Sequence, residues 1–156
     1  MLSTELFHTI VENTPLFAID LVVVNEQNEL LLGKRLNAPA KGWWFVPGGR
    51  VFKNECLADA FMRIAGSELG VKQSLDSAQL LGVYEHFYDD SVFGSEISTH
   101  YINASHYFRV NTDELVLPMG KQHDDYRWVA LTDVKDDPSI HHFSKVFLAR
   151  LETIIN

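Results

Sequence analysis

At 156 residues the chain is long enough to bury a core within a single domain, expected to run 1–156. A content of 46% hydrophobic and 22% charged residues is that of a folded globular protein, not a disordered or membrane-embedded one. The formal net charge of −8 argues against a nucleic-acid polymer as partner, because binding a phosphate backbone needs a basic surface. It leaves room for a small anionic ligand, whose field a divalent cation and a few arginines can balance locally.

In chain order, Ser3 or Thr4 is placed to cap a short helix through Glu12, ended by the Asn13-Thr14-Pro15 break. Leu16 to Val24 is an almost unbroken apolar run rich in β-branched residues and reads as a buried strand, with Asp20 its one charge. Asn25-Glu26-Gln27-Asn28 makes a turn, and Glu29 to Arg35 returns as a second strand. Gly42 to Gly49 leads through a turn into a helix of roughly Glu55 to Leu69. Strands follow at about Gln79 to Tyr88, Ser98 to Val110 and Asp124 to Leu131. A closing helix is predicted from Phe143 to Ile154, with Phe143, Val146, Phe147, Leu151 and Ile154 as its buried stripe. Strands in mixed order with few helices imply an α+β sandwich, not a doubly wound sheet.

The lone Cys56 excludes an internal disulfide and suits a reducing compartment; it reads as a buried or incidental thiol. There is no long apolar run of transmembrane length and no basic, apolar leader at Met1 to Glu5, so a cytoplasmic protein without membrane contact is expected.

The central helix carries the chemistry. At 100° per residue Leu57, Phe61, Ile64 and Glu68 share a face. A carboxylate in an apolar stripe is costly to bury unless it is paired or bound to metal. Glu68 therefore either reaches past the helix end to solvent or a neighbouring turn, or holds a cation; Arg63 lies too far round the helix to be an easy partner.

Gly49, Glu55, Arg63, Glu68, Gly70 and Val71 fall at the spacings of G-x5-E-x7-R-E-U-x-E-E-x-G-U, where U is bulky and apolar. Over residues 49–71 the chain thus resembles the Nudix hydrolases, with Ile64 and Ser67 where two glutamates are usual and Ala65 small at a U position. Five ordered blocks narrow the resemblance: Gly33-Lys34-Arg35, Trp44 to Val51, His86 to Asp90, Thr99-His100-Tyr101 and Gln122 to Trp128. They are similar to the GDP-mannose mannosyl hydrolase branch, which shares the loss of the two helix glutamates.

That resemblance implies an α/β/α sandwich with a mixed sheet, a homodimer, and a GDP-hexose substrate, GDP-mannose or GDP-glucose. It implies one magnesium ion per site, with manganese able to substitute, held by the Gly48 carbonyl, Glu68 and Gln122. Water would attack the anomeric carbon with inversion, giving GDP and free hexose, and His123 is the matched general base. Arg35 matches the arginine that stabilises the departing diphosphate, and Arg50 a second phosphate-side arginine. Asp20, Tyr101 and His86 fall in the matched site, though each suits a purely structural role as well. Leu2 and Phe7 match positions near the nucleotide, and apolar residues on a short helix also serve simply to pack. Two other readings remain at this level: a conventional pyrophosphatase that attacks phosphorus, and a nucleotide-sugar sensor without catalysis.

Overall fold

A computed structural model describes every residue except Lys121. The expected strand at Leu16–Val24 (β1) forms with those bounds and is buried on both faces, which is why it reads as continuous rather than alternating. Ile19, Leu21 and Val23 join one apolar cluster, Val22 and Val24 the other. Asn25 closes the turn that follows: its side-chain oxygen accepts from the Gln27 and Glu29 amides at 3.0 and 2.9 Å. The chain then returns as β2 (Glu29–Arg35).

These two strands pair at Val24 and Leu30 and then take different neighbours. The short β3 (Trp44–Phe45) pairs with β2, and β4 (Gly48–Arg50) runs antiparallel to β1 with Gly48 opposite Asp20. Neither short strand carries a local pattern in the residues themselves. The long β6 (Thr99–Arg109) lies parallel to β1, and β5 (Gln79–Tyr88) lies antiparallel to β6 at the sheet edge. On the other side β7 (His123–Ala130) pairs with β2 and sets His123 opposite Arg35. The mixed sheet carries helices on both faces, the expected α+β sandwich.

Helix α1 (Thr4–Asn13) is capped by Ser3, whose hydroxyl accepts from the Leu6 amide at 3.2 Å. Helix α2 (Leu57–Leu69) starts two residues later than expected, because Glu55 is engaged elsewhere: its carboxylate accepts from the Phe52 amide and from the fork of Arg63. Ala60, Phe61, Ile64, Ala65 and Leu69 bury its inner face, whereas Leu57 is exposed, contrary to the predicted stripe. Gly70 ends the helix in the left-handed region at φ 69°, where a side chain would also collide with the Val116 carbonyl. Cys56 precedes α2 and is exposed, not buried.

After the short α3 (Leu131–Val134), the closing segment departs from expectation. Residues 142–144 form a 3-10 turn and the helix proper, α4, spans Leu148–Ile155. The Ser144 hydroxyl accepts from the buried Val46 amide at 3.0 Å, tying this turn to the sheet instead of to a helix. Phe143, Phe147 and Leu151 are buried as predicted; Val146 points outward and Leu148 takes its place in the core. Among the described residues no helix is long and apolar enough to cross a membrane.

Candidate active site

The divergence of β1 from β2 leaves a cavity of about 390 Å³. Asp20 reaches it from β1, Arg35 from the end of β2, Gly48 and Arg50 from β4, and Tyr101 and Asn103 from β6. Phe7 closes one wall from α1, its ring under the Arg50 guanidinium at 4.2 Å. Arg35 is steadied by donating from Nε to the Pro39 carbonyl at 2.9 Å, which leaves the outer edge of its fork for an anion.

Asp20 is 4% exposed and accepts one hydrogen bond, from Asn103 Nδ2 at 2.8 Å on Oδ1. Oδ2 has no hydrogen-bond partner among the described residues, nor does Asn103 Oδ1. Burial pushes this carboxyl up to about 7, against the pull of the Asn103 bond and the Arg35 charge. Gly48 must be glycine: a Cβ there would lie 2.6 Å from the Ile19 carbonyl and 2.9 Å from Asp20 Oδ1. Burial likewise raises the Tyr101 phenol above its ordinary range.

Glu68 is buried at the inner end of α2, so it does not reach solvent. Its Oε1 accepts from Gln122 Nε2 at 2.7 Å, and Gln122 itself lines the cavity. Arg63, as predicted, pairs elsewhere, forking onto Glu55 at 2.6 and 2.8 Å. Ile64 and Ser67, which stand where glutamates are usual, have become structural: Ile64 is in the core against Gly49, and the Ser67 hydroxyl donates to the Ile64 carbonyl.

His123 lies behind this wall and does not itself line the cavity. Gly33 makes room for it, since a Cβ at that position would fall 2.5 Å from the imidazole Cδ2. The Tyr126 hydroxyl donates to the Pro118 carbonyl at 2.7 Å and turns its oxygen to Nδ1 of His123 at 3.4 Å. Glu68 Oε2 stands 3.8 Å from the same nitrogen. Both acceptors favour the proton on Nδ1, leaving Nε2 as the acceptor, without a hydrogen-bond partner among the described residues. Burial and the Arg35 charge lower the imidazole to about 4, so it stays neutral at working pH.

Besides His123 and Glu68, two more expected positions fall outside the cavity lining. His86 is buried with its ring stacked on Phe143 at 4.4 Å, and approaches the site through Tyr88, whose hydroxyl is 3.4 Å from Nδ1, and through the edge-on ring of Phe45. Leu2 is exposed and lines nothing here. Conversely, Tyr88, Phe45 and the Asn37–Pro39 segment line the cavity unforeseen. Tyr88 belongs to the block His86 to Asp90 that carries part of the family resemblance.

Among the described residues no three His, Cys, Asp or Glu side chains stand together as a metal cluster. Of the three positions expected to hold a divalent ion, Gly48 and Gln122 line the cavity, and Glu68 is tied to Gln122 through the amide nitrogen at 2.7 Å. A backbone carbonyl, a carboxylate and an amide oxygen are the hard donors a magnesium ion takes, once the Gln122 amide turns its oxygen inward.

An α+β sandwich with a glycine-rich turn, a carboxylate-bearing helix and two arginines over one cavity defines an enzyme-like site with room for an anion. The NUDIX domain model matches residues 14–151, and the chain belongs to the Nudix family of hydrolases, which act on nucleotide derivatives. It is 48% identical over 117 residues to the low-salt glycan biosynthesis protein Agl8 of Haloferax volcanii, covering 75% of this chain and 72% of that one. It is 39% identical over 70 residues to an ADP-ribose pyrophosphatase of Methanocaldococcus jannaschii, covering 45% of this chain and 40% of that one. Among solved structures, a MutT Nudix hydrolase of Burkholderia pseudomallei is 27% identical with TM-score 0.70, over 88% of this chain and 98% of that one. The Nudix domain of Shewanella oneidensis NrtR, complexed with ADP ribose, has TM-score 0.69 at 16% identity over 99% and 100% of the two chains, a likeness of fold.

Proposed function

We propose that this Nudix protein hydrolyses a GDP-hexose, GDP-mannose or GDP-glucose, to GDP and free hexose by water attack at the anomeric carbon with inversion. The observation that carries the reading is the conversion of the metal-binding helix: Ile64 and Ser67 are built into packing and backbone hydrogen bonding, and Glu68 is the carboxylate left. Activating a water for attack on phosphorus commonly draws on such a carboxylate cluster. Attack on carbon needs only a departing diphosphate that is well stabilised and one base. The 48% identity to a protein named for glycan biosynthesis supports a sugar-linked substrate.

In this reading Arg35 and Arg50 bind the diphosphate, and Arg35 meets the charge that grows as the glycosidic bond breaks. Gly48, Glu68 and Gln122 would hold magnesium, or manganese in its stead, which when bound neutralises the diphosphate and improves it as a leaving group. In this reading the attacking water reaches Nε2 of the neutral His123 behind the cavity wall and gives up its proton there, while Nδ1–H stays directed at Tyr126 and Glu68. Asp20 and Tyr101 orient the sugar beside Arg35. Phe7 packs under Arg50 near the nucleotide, and a second copy of the chain in a homodimer brings Leu2 to it. His86 acts from behind, through Tyr88.

A second reading, pyrophosphate cleavage, draws support from the 39% identity to an ADP-ribose pyrophosphatase. Incubation with GDP-mannose and magnesium, with products resolved by anion exchange, separates the two. GDP with free mannose is the expected outcome; GMP with mannose 1-phosphate would replace the proposal by the second reading.

A further inference from the structure

A second cavity, of about 380 Å³, shares the Tyr88 side chain with the first but differs from it in chemistry. Where the first presents Arg35 and Arg50, the second presents the carboxylates of Asp89 and Asp90 with Lys41. Two large rings flank these groups, Trp43 at 41% and Phe87 at 61% exposure. Each ring is backed rather than loose. Trp43 meets His141 edge-on at 5.1 Å, and Phe87 stacks on His100 at 4.4 Å, so their outer faces are held in place. The side chains of Asp89, Asp90 and Lys41 make no hydrogen bond or ion pair among the described residues, although opposite charges line one cavity.

We propose that this second cavity is a carbohydrate site that takes a neutral hexose unit. A pyranose has an apolar C–H face, which packs on an aromatic ring, and a rim of hydroxyls, which need directional partners. Carboxylates accept strongly from such hydroxyls, and an ammonium donates to the ring and hydroxyl oxygens. Two adjacent carboxylates outweigh the single Lys41 charge, with His141 and His142 also lining the cavity, so the site disfavours a phosphate and is not a second diphosphate pocket. A concave site with aromatic walls and a few convergent polar groups is the usual form of a small-molecule site. The inference rests on this cavity alone and stands whichever bond the first site cuts.

Nitrogen-15 spectra of the intact protein, titrated with D-mannose and with D-glucose, test it. Either sugar at millimolar concentration should give saturable shifts of the Trp43 indole N–H and of the amides of residues 87–90. Trp43→Ala should abolish them, with Phe87→Ala as the parallel variant if the first fails to fold. Asp89→Asn with Asp90→Asn should weaken them about tenfold or more, the loss expected of charge-assisted hydrogen bonds. Arg50→Ala, in the first cavity, should leave them in place. No saturable shift with either sugar would overturn the assignment. So would shifts of the same residues by inorganic phosphate, shifts that survive the ring variants, or shifts that vanish with Arg50→Ala.

Discussion

Replacing Asp20 by asparagine should stabilise the protein at alkaline pH while impairing the site. Burial raises this carboxyl from 3.8 to about 7. The folded chain therefore holds a proton there that the unfolded chain has released. Stability from this group is complete below the unfolded value, falls as pH rises, and is lost once pH passes the folded value. Raising the value from 3.8 to about 7, at about 1.4 kcal/mol per tenfold change in proton affinity, gives an upper bound of about 4 kcal/mol for ionising Asp20 in place. Asp20 lines a cavity that water can enter, so about half of that, roughly 2 kcal/mol, is the working figure. Asparagine keeps the shape, carries no charge at any pH, and can go on accepting from Asn103 Nδ2 as Asp20 does. Thermal unfolding in EDTA should show wild type and Asp20→Asn alike at about pH 3.5, and the variant higher by about 4–8 °C at about pH 8. Equal stability at the higher pH, or a gain independent of pH, would refute the argument that burial strains this carboxylate. Turnover should fall in the same variant, because a charge retained at a cost in stability is expected to serve the site.

Gly33→Ala should lower kcat by roughly 10²-fold with the fold intact by circular dichroism, since its Cβ would displace the His123 ring from 2.5 Å away; unchanged kcat would show that the imidazole position is not critical. His123→Gln should lower kcat by about 10²–10⁴ with little change in KM. The wild-type kcat should hold steady on acidification until protonation of His123, lowered to about 4, removes the acceptor; an acidic limb near pH 7 would instead point to Asp20 as the base. Glu55→Gln should cost about 1 kcal/mol at neutral pH by urea unfolding, a modest figure because the Arg63 end of the pair is solvated. Glu55 is lowered to about 2 by Arg63 and the Phe52 amide, so that contribution is present above the ordinary carboxylate range and lost as pH falls through about 2. A difference that persisted unchanged into acid would contradict the ion-pair origin.

The strands that could be read from the sequence are those whose signal is local. The apolar run of β1 and its Asn25 turn into β2 depend on neighbours a few residues away, and both formed with the expected bounds. The two short strands depend on partners far off, Phe45 on Gly33 and Gly48 on Asp20, and no local period announces them. The closing helix misled because Phe143, Phe147 and Leu151 are apolar at helical spacing, yet Ser144 is claimed by the Val46 amide and breaks the run. At the site, the spacing of Gly49, Glu55, Arg63, Glu68 and Gly70 marked the helix, and the charge of Asp20 within an apolar strand marked one cavity residue. Tyr88 and Asn103 escaped as site residues in their own right, since an aromatic or amide in a strand carries no distinctive pattern until the sheet sets it beside Asp20.

The measurement that tests the central claim most directly is hydrolysis of GDP-mannose in 18O-labelled water, with the products read by mass spectrometry. Attack at carbon predicts one labelled oxygen on the released mannose and none on GDP. Label on GMP or on mannose 1-phosphate would contradict it and assign the attack to phosphorus.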